Sequence, residues 1–123
     1  MKLKIPQLSA SFLLIAFSLA ETRAASDVEI PFSLARGQVL YETKCASCHG
    51  LELTGTETGP PFLHPFYKPS HHGDAAFYRA ALKGVRAHHW NFGDMPPVPG
   101  ITEGKMDSIL PYLRYYQQQK KLY

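Results

Sequence analysis

The chain has little with which to staple itself together: two cysteines in 123 residues, Cys45 and Cys48. A disulfide between them would close too short a loop to stabilise a fold. A structural zinc site commonly uses two such cysteine pairs, and only one is present. No segment alternates apolar and polar residues over the length of a strand, so essentially no sheet is expected. No apolar run reaches the roughly 20 residues that span a membrane. No charge of one sign dominates either, with 13 basic and 10 acidic residues and a net charge of +3. Lys2, Lys4, Glu21 and Arg23 lie in the first 24 positions, and from Ala25 onward ten basic residues face nine acidic ones, a net of +1. Without a basic excess or an arginine-rich stripe, nucleic acid is not an expected partner. Paired carboxylates and a serine on a glycine-flanked elbow are also missing, which argues against hydrolase chemistry.

The first residues have a different character. Lys2 and Lys4 make a short basic start, residues 8–19 are apolar apart from Ser9, Ser11 and Ser18, and small residues follow at Ala20, Ala24 and Ala25. That order is a secretory signal peptide over residues 1–24, cleaved after Ala20 or Ala24. Residues 25–32 then read as a linker and residues 33–123 as one domain. Export predicts a periplasmic protein with no stable membrane insertion after cleavage. The remaining chain, about a hundred residues, has a thin protein core and usually needs a staple. With ten prolines in the chain and no useful disulfide, a buried cofactor is the better candidate.

Three segments read as helices. The first covers residues 33–44 with Ser33 as N-cap. The second covers residues 74–83, capped by Asp74 and closed by Gly84. The third begins after Thr102, where Met106, Ile109, Leu110, Leu113 and Tyr116 recur at helical spacing. Pro111 falls inside it, and a kink near residues 107–111 is expected rather than a break, because the apolar period continues through it. The connections at residues 50–73 and 85–101 are long and rich in Pro, Gly and His. Long loops of that kind are usually functional, and here they would wrap a ligand.

Cys45-Ala46-Ser47-Cys48-His49 is the Cys-x-x-Cys-His signature of covalent haem attachment. The two thiols reach neighbouring edges of the ring, and the adjacent histidine is placed under the iron. A thioredoxin-like redox pair would want a preceding strand, which is absent. A second axial ligand must come from far along the chain to reach the opposite face. Met95, in Gly93-Asp94-Met95-Pro96-Pro97, is the candidate, since following prolines fix the backbone around a weak thioether. Met106 suits core packing instead, on the apolar face of the last helix. His88 and His89 are the rival ligands. Histidine and methionine together raise the reduction potential and suit electron transfer.

From about Ser33 to Gln118 the chain resembles bacterial monohaem class I cytochromes c. The matching residues are Gly37-x-x-x-Tyr41-x-x-x-Cys45, the Cys45–Gly50 motif, Gly59-Pro60, Gly93-Asp94-Met95-Pro96 and Ile109-x-x-Tyr112-Leu113. The resemblance implies an all-α fold: a small bundle of three main helices wrapped around one covalently bound haem c. It implies that Gly37 and Tyr41 mark where the first helix crosses the last, near Ile109 and Tyr112. It also implies that the Pro60 carbonyl accepts a hydrogen bond from the free ring nitrogen of His49, with Pro61 as the alternative.

Two features depart from the family pattern. One is Pro111. The other is the pair of segments His71-His72-Gly73-Asp74 and Arg86-Ala87-His88-His89-Trp90-Asn91-Phe92. These read either as polar loops, with Arg86 and Trp90 serving the haem carboxylates, or as a second metal site. That site, for copper or zinc, would use His71 or His72 with His88 or His89. His64 has no evident partner and reads as a surface or loop residue. The functional expectation is a one-electron carrier rather than an enzyme, meeting a redox donor and acceptor transiently at the haem edge near Cys45 and Cys48. The alternatives are a haem peroxidase or gas sensor, which requires an open sixth position, or a dedicated redox subunit with an additional metal.

Overall fold

A 3₁₀ turn at Phe32–Leu34 leads into α1 (Ala35–Lys44), followed by the short α2 (Ala46–His49), α3 (Asp74–Lys83) and the long α4 (Glu103–Gln119). The computed structural model describes residues 27–123, and the leader expected at residues 1–24 lies outside the described residues. Four helices and no strand make an all-α fold among the described residues. The one extended pairing is an isolated antiparallel bridge between Val85 and Met95.

The helix starts differ from expectation in their chemistry. Ser33 lies within the 3₁₀ turn and does not cap α1, whose N-cap is Leu34 with no side-chain hydrogen bond. The carbonyls of Pro31 and Phe32 receive the first N–H groups instead, so backbone does the work of a capping hydroxyl. At α3 the N-cap is Gly73, and Asp74 is the first helical residue. Its carboxylate still sits at the positive end of the helix dipole, and it pairs with Arg114 Nε at 2.8 Å. Thr102 caps α4 through its hydroxyl, which accepts from the Lys105 N–H at 3.3 Å. Pro111 leaves α4 unbroken. It is exposed, as is Asp107 one turn earlier, so the carbonyl that loses its donor faces water.

The crossing of α1 over α4 sets the geometry of everything else. A Cβ on Gly37 would stand 2.1 Å from the Ser108 carbonyl oxygen and 2.9 Å from Tyr112 Cβ. Only glycine permits that approach. Below the contact, Tyr41, Ile109, Tyr112 and Tyr116 are fully buried, and the Tyr41 and Tyr112 rings meet at 5.5 Å. Burial holds both phenols well above the ordinary tyrosine range. The segment ahead of the first turn is drawn onto α4 as well: Val28 is buried, the Glu29 carbonyl accepts from the Tyr115 hydroxyl, and Asp27 pairs with Lys120.

Replacing Gly37 by Ala is expected to cost about 1–3 kcal/mol or more, the range for overpacking. Gly104, in α4, has open space where its Cβ would be. Gly104→Ala is expected to be neutral or to stabilise by up to about 1 kcal/mol. Denaturant unfolding midpoints of the two holoprotein variants check the contrast.

Candidate functional site

Cys45 ends α1 and the rest of the motif forms α2, so the crossing that positions α1 also positions both thiols and His49. The Tyr41 hydroxyl donates to the Gly50 carbonyl at 2.7 Å and pins the end of α2 to α1. Burial pushes the Cys45 thiol up to about 11, with Cys48 adding to the shift.

The chain then folds back beneath the motif. A Cβ on Gly59 would lie 2.7 Å from the Cys48 carbonyl, so glycine is needed for the return strand to pass. The Thr56 hydroxyl donates to the same carbonyl at 2.7 Å. Leu53 is fully buried with φ 61, a left-handed conformation costing about 1–3 kcal/mol that surrounding packing must hold. This turn delivers the Pro60 carbonyl to His49, where it accepts from Nδ1–H at 2.9 Å. Pro61 is not the partner. The Phe62 ring stacks on the imidazole at 4.0 Å and fixes its plane. With Nδ1 committed, Nε2 is the nitrogen left for a metal ion. Burial holds the His49 pKa below the usual imidazole range, against the raising effect of Pro60. The ring is therefore kept in the neutral form that binds metals.

His49 and both cysteines form one side of a cavity of about 710 Å³, within the 300–1,000 Å³ typical of cofactor sites. Its other walls are largely apolar: Phe77 and Ala81 from α3, Met106, Ile109 and Leu113 from α4, and Val98 from the loop between the two helices. Three cationic side chains border it, Lys44, Arg79 and Lys83, and no carboxylate does. Trp90 lines the cavity too, with its indole nitrogen buried and making no close hydrogen bond among the described residues. The Tyr67 hydroxyl is beside it: burial raises its pKa, and the nearby indole opposes the rise. Apolar walls bordered by cations, with no carboxylate among the lining residues, fit a flat apolar group with carboxylates on its edge.

A family profile described as Cytochrome c matches residues 34–117. The chain belongs to the cytochrome c family. Comparison with curated proteins and with solved structures gave no match. Membership makes the cofactor a covalently attached haem c, with Cys45 and Cys48 at the attachment spacing. It makes the protein a haem-based electron-transfer component that works with redox partners.

The remaining candidate residues separate into three groups. Met95 and Trp90 border the haem cavity, and so does Met106 from its buried position in α4. Arg86 does not: it is exposed, and the arginine at the cavity wall is Arg79, one turn before the end of α3. Val85 and Ala87 on either side of Arg86 do border the cavity, and alternation in the extended backbone turns the side chain between them the other way. The histidines gather at the rim, where His72, His88 and His89 border the cavity and His71 reaches His89. His64 is no isolated loop residue. It is half-buried, its Nδ1 accepts from the Phe66 N–H at 3.2 Å, and its ring meets the Trp90 indole edge-on at 4.8 Å.

Two residues with structural weight at the site carried no motif. Arg114 donates to the Tyr67 and His72 carbonyls at 2.8 and 2.7 Å, and Gln117 Nε2 donates to the Phe62 carbonyl at 2.7 Å. They suspend the loop that carries Pro60 and Phe62 from α4. The signal available was position: Gln117 stands four residues after Leu113, on the apolar stripe, where a polar residue needs a buried partner. Gln117→Leu keeps the volume but orphans the Phe62 carbonyl. It is expected to cost about 1–3 kcal/mol, measured by chemical denaturation of the holoprotein.

Proposed function

We propose that the protein is an exported, periplasmic one-electron carrier in which His49 and Met95 are the two axial ligands of the haem iron. Bound in the cavity, haem supplies an iron centre that exchanges one electron at a time. The chain's own residues hold that centre and keep other ligands away. His49 is fixed by the Pro60 carbonyl and by Phe62, the kind of outer hydrogen bond that sets ring orientation and basicity.

The observation that carries the reading is the way Met95 is held. Its backbone is paired in both directions with Val85, N–H to carbonyl and carbonyl to N–H, each at 2.9 Å. Gly84, at φ 80, lets the Met95 carbonyl and Pro97 pack where a Cβ would approach to 2.6 and 3.1 Å. Pro96 and Pro97 stiffen the chain beyond it. A weak thioether ligand needs such a pre-set backbone, since little of its binding energy can be spent on ordering a loop. Of the rivals, His89 is turned onto His71, with the two Nε2 atoms 3.2 Å apart, and neither His88 nor His89 has a backbone paired in both directions as Met95 has. Met106 is packed in the core of α4.

Exchange would take place where Ser47 and Cys48 are exposed, beside the attachment point. Redox encounters use small contacts, under about 1,200 Å², that form and part quickly. A leader of secretory type supports export, and no described helix is long and apolar enough to cross a membrane.

The oxidised holoprotein is expected to show the weak near-infrared absorption of a sulfur–iron bond. Met95→Leu should abolish that band and lower the reduction potential by on the order of 100 mV or more, within the roughly 0.8 V that axial ligation spans. Met106→Leu should leave both in place. A band that survives the first substitution, or vanishes with the second, would overturn the assignment.

A further inference from the structure

Five histidines lie on the two loops that flank the cavity, and the structure brings three of their ligating nitrogens together. The ligand atoms of His71, His72 and His89 all fall within 4.8 Å of one another. We propose that these three residues form a binding site for a divalent late first-row metal ion, Cu²⁺ most tightly and Zn²⁺ next, at the rim of the haem cavity.

Distance is the first argument. His71 Nε2 and His89 Nε2 are 3.2 Å apart. Two nitrogens on a tetrahedral ion, each about 2.0–2.1 Å from it, stand roughly 3.3 Å apart. The pair is therefore already spaced as two ligands of one ion, and His72 needs only a small ring movement to complete the set. The alternative for this pair is a direct N–H···N hydrogen bond, which would require neither His72 nor a metal.

Orientation is the second. Metal-ligating histidines almost always donate their other ring N–H to a carbonyl or carboxylate. His72 does so: Nδ1 donates to the Phe66 carbonyl at 2.5 Å, leaving Nε2 free to ligate. The His89 ring is stacked on Phe66 at 4.3 Å and 26°, which fixes its plane. Backbone turns onto the Lys68 carbonyl, at 2.9 Å each, set His71 and His72 side by side. His88 also donates Nδ1–H to a carbonyl, that of Arg86, and it is left out on distance alone, since its ligand atoms do not fall with the other three.

The ligand type then selects the ion. Three imidazoles with neither carboxylate nor thiolate suit Cu²⁺, Zn²⁺ and Ni²⁺ and reject Mg²⁺ and Ca²⁺, and affinity for such sites peaks at Cu²⁺. His71 and His89 are exposed and His72 is half-buried, so an ion can enter from solvent and keep an open position. Because His71 and His89 are 18 residues apart, the ion would tie the loop after Phe66 to the loop that carries Trp90 and Met95. It would act as the staple between loops that the cysteines cannot provide.

The test is calorimetric titration of the holoprotein with Zn²⁺, which is redox-silent and so does not disturb the haem. One ion per chain is expected, with thermal stability rising as the site fills. His71→Ala and His89→Ala should each weaken binding roughly 10–100-fold and remove the zinc-dependent rise in Tm, whereas His88→Ala should change affinity less than about threefold. The haem absorption spectrum, unchanged in every variant, shows that each has folded around its cofactor. No stoichiometric binding would overturn the proposal, as would binding that survives loss of His71 or His89, or equal binding of Mg²⁺.

Discussion

A chain this short cannot fill the space its helices enclose. The apolar cavity of about 710 Å³ lies between α3, α4 and the motif, where a larger protein would put its own side chains. Unfilled apolar space costs about 24 cal/mol per Å³. Even a third of this volume held dry without an occupant would cost on the order of 5 kcal/mol, against a total of about 5–15 kcal/mol for a small domain. The haem thus completes the hydrophobic core, and the covalent attachment at Cys45 and Cys48 keeps it in place. The protein's own contribution includes the tyrosine-rich seam between α1 and α4, where Tyr41, Tyr112 and Tyr116 are buried together.

That division explains how position is transmitted. The close contact of Gly37 with Ser108 sets α1 against α4. α1 runs directly into the attachment motif, and the loop after it is hung from α4 by Arg114 and Gln117. The same helix therefore braces the two cysteines from one side and Pro60 from the other. His49 is caught between them, neutral and with one nitrogen committed. Met95 depends on a different device, a short antiparallel pairing with Val85 that holds its backbone with no strand among the described residues.

Much of this could be read from the sequence because it is local. The attachment motif is a contiguous string, and the apolar stripe from Met106 to Tyr116 is a helical period. α3 has Asp74 and Gly84 at its two ends, within a residue of where they were expected. What could not be read depends on which loop atoms meet across the fold. Arg86 and Arg79 are equally plausible partners for a carboxylate until the backbone shows Val85 and Ala87 facing the cavity and the residue between them facing away. Ser33 looks like a cap, but the proline before it supplies a carbonyl first. Arg114 and Gln117 have no motif because their partners are backbone carbonyls of Tyr67, His72 and Phe62, and any sequence can offer those. The histidine segments were visible as unusual, yet only distance separates His89, turned onto His71, from His88, held on its own backbone.

With His49 and Met95 as the proposed ligands, both faces of the haem iron would be closed, so that electrons pass while small ligands do not. Mixing the reduced holoprotein with carbon monoxide tests it most directly. A visible spectrum that stays unchanged after mixing is the result the account predicts, because the iron is already ligated on both sides. Rapid and complete carbon monoxide binding would contradict it and make the protein a gas-binding or catalytic haem protein instead.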